Sequence, residues 1–288
     1  MKSPLRGKSK QDGVSHSLYL LSCKSINKEM MKTFHIGLLV MAACWLALSG
    51  CRPAVPKPVP LPPVAEKVLL QQLAATRNSF RSLRGLAKVH AEIEGKTSSA
   101  RQVVLLEKPD RLRTEILGPF GQPVLRVTVI RKQLSVHIPG EELFLQGPAT
   151  ADNLARFTLL PLGVEELVQL ALYDVPLLPY VESSLTIEGD RYALRLVGSR
   201  GDSQILRFDG KIRLAGVEYY RQDDLLLRVT YDRFNEQQDA FPGSVALFMP
   251  KRQASLTMIY SDLEINGDIP EERFHLEPPP GTRVQQLP

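Results

Sequence analysis

From residue 85 the apolar residues of this chain recur at every second position. Ala87, Val89, Ala91 and Ile93 alternate with Lys88, His90, Glu92 and Glu94. A period of two puts one set of side chains on each face of a strand and fits no helix. Similar short runs follow near 100–107, 111–117, 124–131, 133–138, 142–146, 184–189, 191–198, 203–209, 211–221, 224–234, 244–249 and 254–265. Turn residues break them, and Glu188-Gly189-Asp190 and Gly198-Ser199-Arg200-Gly201-Asp202 have the composition of hairpin turns. Consecutive strands at this spacing predict a mainly β fold with a few helices, built on one large curved antiparallel sheet or barrel.

Helical spacing occurs in two places. Val64, Ala65, Val68, Leu69, Leu73 and Ala75 recur at helical intervals up to Phe80, with no Gly or Pro inside. The β pattern is interrupted once, at 150–180. There Thr150 or Asp152 can cap a helix through Leu154, Phe157 and Leu160, which Pro161 and Gly163 break. A second helix is predicted from Val164 to about Tyr173. Val164, Leu167, Val168, Leu170, Ala171 and Leu172 fill an apolar arc roughly 200° wide, about twice what a surface helix needs. Such a helix is either wedged into the core or is a lid whose apolar face covers a sheet or a lipid.

The start of the chain is of another kind. Residues 36–48 are uncharged and mostly apolar, follow Lys32, and are too few to span a bilayer, which takes about 20 residues. They end at Leu48-Ser49-Gly50-Cys51, the layout of a lipoprotein signal, in which the chain is cut before the cysteine and the thiol carries the lipid. Met30 or Met31 would start a signal of ordinary length. The sequence therefore divides into an upstream extension and signal at 1–50, a lipidated Cys51 with a tether to residue 63, and a domain at 64–288. Six prolines between 52 and 63 predict an extended tether reaching roughly 40 Å. Arg52 after the cysteine favours the outer membrane, at its periplasmic face. The other two cysteines, Cys23 and Cys44, precede the cut, so no disulfide, zinc site or thiol nucleophile is expected after it.

The charge balance follows this division. Of 36 Lys/Arg and 31 Asp/Glu, seven and two lie before Cys51, which leaves 29 of each in the remaining 238 residues. A net charge of zero argues against a nucleic-acid partner, which needs an excess of clustered cations. No P-loop, dinucleotide fingerprint or metal motif occurs. His90 and His137 fall on polar strand faces and are expected in solvent. Glu141-Glu142, Asp223-Asp224 and Glu271-Glu272 fall at turns or element ends. The expectation is a binding protein without catalytic residues, metal or cofactor beyond the N-terminal lipid. One apolar residue is out of place: Phe120, at the tip of the turn Leu117-Gly118-Pro119-Phe120-Gly121-Gln122-Pro123. It either folds back over a sheet edge or contacts a membrane or partner.

Several segments taken in order resemble the outer-membrane lipoprotein receptor family LolB and its LolA-like relatives. They are Ser82-Leu83-Arg84-Gly85 opening the first strand, and Arg111-Leu112-Arg113 leading into Gly118-Pro119-Phe120-Gly121. Leu160-Pro161-Leu162-Gly163 through Leu167 to Pro176 follows, and then Phe274-His275-Leu276-Glu277-Pro278-Pro279-Pro280-Gly281. The resemblance spans roughly 64–288. It implies an unclosed antiparallel barrel whose concave face is covered by helices, over a cavity that holds the acyl chains (such as palmitate) of a lipoprotein. It also implies a soluble periplasmic LolA-like carrier as partner, and places Phe120 on the turn that enters the membrane. Two features depart from the family: the chain after Cys51 has no Trp, and its C-terminal half is longer.

The expected protein is thus an outer-membrane lipoprotein, monomeric, that binds lipid or lipoprotein acyl chains and assists lipoprotein insertion. The expected cavity is lined by Val89, Ile93, Leu112, Ile116, Val127 and Val129 on strands, with Leu160, Leu167 and Leu170 on the lid. The alternatives are a scaffolding envelope lipoprotein with a packed interior, or an envelope-stress sensor. An open apolar space between helices and sheet separates the first from the second.

Overall fold

The computed structural model describes residues 61–237 and 240–288. The signal segment, Cys51 and most of the tether lie outside the described residues. Contacts group the described residues into one compact unit.

Among the described residues fourteen strands form one sheet that is not closed into a barrel. The chain first lays out a meander: β1 Ser82–Ile93, β2 Lys96–Glu107, β3 Arg111–Leu117, β4 Pro123–Ile130, β5 Gln133–Ile138 and β6 Leu143–Pro148. A second meander returns as β7 Glu182–Glu188, β8 Arg191–Val197, β9 Asp202–Phe208, β10 Leu214–Arg221, β11 Asp224–Asn235, β12 Phe241–Met249 and β13 Ala254–Ile265. The two are joined where β13 pairs antiparallel with β1, setting Val89 opposite Met258.

The alternation read from the sequence is the inner and outer face of this sheet. Leu106, Leu112, Val129 and Leu134 are cross-strand partners along one inner row, and all four are buried. Three helices pack on that face. In α1, Glu66–Ser79, Leu69 and Leu73 are buried. In α2, Ala151–Thr158, the Thr150 hydroxyl accepts from the Asn153 N–H and caps the first turn. In α3, Val164–Ala171, the Glu166 carboxylate accepts from the Gly163 N–H at 2.9 Å. Among the described residues no helix is long and apolar enough to cross a membrane.

The sheet differs from the expected antiparallel one at its end. A fourteenth strand, β14 Arg283–Gln286, pairs parallel with β6 and makes the sheet mixed. The chain reaches it by crossing the outer face after β13, where Ile269 and Phe274 bury against Leu105 and Ile130. Arg113 holds this strap by donating to the Arg273 carbonyl at 2.7 Å. At the end Leu287 packs on Gly147, where an added Cβ would lie 2.7 Å from the Leu287 side chain. Only a residue without a side chain leaves that room.

His137 also differs from expectation. It lies on the polar outer face, as its position in the alternation requires, but it is buried rather than solvated. The Arg126 guanidinium lies 3.1 Å from Nδ1 and the Phe144 ring packs beside it. Burial, with the Arg126 charge second, lowers its pKa.

Candidate functional site: an apolar groove between helices and sheet

The inner face is not filled evenly. One cross-strand row runs Tyr231, Val245, Met258, Val89, Ala100 from β11 to β2. Tyr231 and Val245 are buried in the core, whereas Met258, Val89 and Ala100 border a groove of about 350 Å³. Volumes of this order are typical of small-molecule sites.

The groove lies under the α2–α3 connection. Its floor is inner residues of β1, β2, β3 and β13, from Leu106 and Leu112 at one end to Ser98 and Ile116 at the other. Its roof is Phe157, Leu159 and Leu160 after and within α2, with Leu167 and Ala171 of α3. No ionisable side chain is among the lining residues. The polar ones are small hydroxyl residues and Gln102, and the Thr114 hydroxyl lies 3.0 Å from Gln102 Oε1. A space of this composition can hold an apolar chain.

Five of the nine expected cavity residues line the groove: Val89, Leu112, Ile116, Leu160 and Leu167. Four do not. Val127 and Val129 are at 0% exposure in the packed core, and Leu170 is buried there too. Ile93 is half-buried near the β1–β2 turn and packs against the same core. Leu256 and Met258 were absent from the expectation. Their alternation in 254–265 marks an inner face, but nothing local says that β13 lies beside β1.

Helix α3 is a wall of the groove, wedged into the core rather than laid over it. Val164, Val168, Leu170 and Leu172 are buried, while Leu167 and Ala171 turn toward the groove. The carbonyls of its last turn meet strand tyrosines. Tyr231 donates to Leu170 O at 3.0 Å and Tyr260 to Ala171 O at 3.3 Å. Just beyond, Tyr219 donates to Pro176 O at 3.0 Å and Gln204 to the same oxygen at 2.9 Å. Burial raises the pKa of all three tyrosines, so they remain protonated donors. The buried Asp174 carboxylate completes the attachment, paired with Lys108 Nζ at 2.8 Å beside the β2–β3 turn and with Arg77 of α1 at 3.5 Å.

Phe120 is 94% exposed at the tip of the β3–β4 turn. Two backbone bonds hold the turn without it: Gly118 N–H to Gln122 O at 2.8 Å and Gly121 N–H to Gly118 O at 3.0 Å. β3 runs from Leu112 under the groove to Leu117, so Phe120 projects from the Ile116 end of the floor.

No protein-family model matches this chain, and no curated protein matches it in sequence. Solved structures similar to it include a domain assigned to outer membrane lipoprotein sorting from Vibrio parahaemolyticus. It is 14% identical over 72% of this chain and 94% of its own, with a TM-score of 0.49. A LolA superfamily protein from Nitrosomonas europaea is 15% identical over 74% of this chain and 99% of its own, at a TM-score of 0.49. A DUF1329 family protein from Desulfovibrio piger is 16% identical over 72% and 95%, again at 0.49.

Proposed function

We propose that this protein is a membrane-tethered carrier that holds acyl chains, of lipid or of lipid-modified protein, in the groove beneath α2 and α3. The observation that carries this reading is the groove itself: about 350 Å³, walled by apolar and small side chains, with no ionisable group. Each acyl CH₂ taken from water contributes roughly 0.8 kcal/mol, and a bilayer returns the same term on release. Binding is therefore reversible wherever a membrane is at hand, and no covalent step is required.

In this reading Cys51 carries the lipid that anchors the chain to the outer membrane. The groove receives cargo from a soluble periplasmic carrier, and Phe120 enters the bilayer as the cargo leaves. The scaffold alternative draws on the other half of the sheet, where Tyr173, Tyr231 and Phe241 fill the interior. The open half of the interior favours the carrier, and the packed half supports it.

The test uses residues 58–288 purified without the anchor. A fluorescent fatty acid should bind saturably and be displaced by phospholipid, and native mass spectrometry should find co-purified lipid. No saturable binding and no bound lipid would end the carrier reading and leave the scaffold.

A further inference from the structure

β2 is longer than the strand beside it. β1 pairs with it over its whole length, from Ile93 opposite Lys96 to Ser82 opposite Glu107. On the other side β3 ends at Leu117, opposite Arg101. Residues 96–100 thus have a strand on one side, and among the described residues none on the other.

The direction of their backbone groups follows from the turn. Glu94 and Gly95, at φ of 50° and 77°, form a two-residue hairpin turn closed by Ile93 and Lys96. In such a hairpin the closing pair exchange both hydrogen bonds, and alternate residues then aim theirs away. The Glu94 N–H agrees, donating to Gln253 O on the β13 side. Thr97, Ser99 and Arg101 accordingly turn N–H and C=O toward the β3 side. Arg101 meets Leu117, while Thr97 and Ser99 are exposed and meet no strand. This stretch has neither a proline nor a bulge, devices that commonly close an edge to pairing.

The same stretch borders the groove. Ser98, Ser99 and Ala100 line its end, and the turn carrying Phe120 begins one residue past Leu117. A free lipid offers no alternating N–H and C=O groups to pair with a strand edge. An acyl group attached to a polypeptide does, because the backbone that follows it passes out beside these residues with unpaired N–H and C=O groups of its own.

We infer that the open edge of β2 at Thr97 and Ser99 binds the extended polypeptide next to a lipidated residue, by adding it as a short strand in line with β3. This rests on the carrier reading and narrows its cargo to lipid-modified protein. The groove holds the acyl chains and the edge recognises the peptide through backbone groups, which makes recognition independent of side-chain sequence.

The test compares two probes on residues 58–288: a diacylated cysteine alone, and the same group followed by a six-residue polar peptide. The peptide should tighten binding by about tenfold, a modest return for four backbone groups. N-methylation of alternate peptide residues should abolish the gain on the unaltered protein. Thr97→Pro removes an N–H that β1 does not use, so it should lower the gain and leave affinity for the diacylated cysteine unchanged. Equal affinity for the two probes, or a gain that survives N-methylation, overturns the edge and leaves the carrier standing. Binding of neither probe overturns the carrier reading and the edge with it.

Discussion

The hydroxyl of Tyr231 on β11 donates to the carbonyl oxygen of Leu170 in the last turn of α3, at 3.0 Å. The last carbonyls of a helix have no partner within it, and in a core they must find one elsewhere. Here strands supply it, which fixes α3 against the packed half of the sheet and leaves the groove on its other side.

The two tyrosines should differ in what their loss costs. Leu170 O also receives the Tyr173 N–H at 3.4 Å, whereas Ala171 O depends on the Tyr260 hydroxyl. Tyr231→Phe should cost about 0.5–1.5 kcal/mol, and Tyr260→Phe about 1–3 kcal/mol because a buried acceptor loses its donor. Urea melts of the two variants measure this. The order reversed would mean that the end of α3 is not held as described.

Filling the groove should separate binding from folding. Ala100 is half-buried on the floor, so Ala100→Trp puts a large side chain into open space rather than into packed core. Saturable binding of a fluorescent fatty acid should fall at least about tenfold while stability stays within about 1 kcal/mol, since no native contact is removed. Wild-type affinity in this variant would place the bound chain elsewhere.

His137 gives a pH dependence of defined sign. Its folded pKa lies below the ordinary value near 6.5 because burial and Arg126 disfavour the imidazolium. The unfolded chain therefore binds the proton more readily. The contribution is fully present above about pH 6.5 and is lost as pH falls toward the folded pKa. Thermal melts at pH 7.5 and 5.5 should show a larger drop for the wild type than for His137→Gln. Equal drops would show that the site does not disfavour the charged ring.

Most of the thirteen antiparallel strands were legible because inward and outward positions alternate along them, and β7, exposed along nearly its whole length, was marked by the Glu188-Gly189-Asp190 turn that joins it to β8. β14 was not, because Arg283-Val284-Gln285-Gln286 is exposed throughout and its parallel pairing needs no turn that a sequence could announce. The groove was half legible for a related reason. Alternation places Val127 and Val89 alike on the inner face, but only the position of the helices decides that the first is packed and the second open. His137 shows the limit of the outer face, since a polar position can still be covered by the arms of Arg126 and Phe144.

Phe120 joins the fold to the membrane in the proposed cycle, and its exposure makes that role separable from stability. The turn is closed by its own backbone bonds and by Gly121 at φ 83°, and the ring is 94% exposed. Phe120→Glu should shift stability by no more than about 0.5 kcal/mol. Affinity for a fatty acid in the groove should not change, because Phe120 is not among the residues that line it. Burying a ring of this size in a bilayer contributes about 1.5–3 kcal/mol, enough to hold the end of the groove at the membrane for a moment but not to anchor the protein. Transfer of a fluorescent acyl probe from protein to liposomes should therefore slow about tenfold or more in the variant, at equal loading. Phe120→Leu should restore most of the rate, since the contact needs an apolar side chain rather than an aromatic one. Unchanged transfer by Phe120→Glu would remove the membrane from the role of this turn and point instead to a protein partner for the exposed ring.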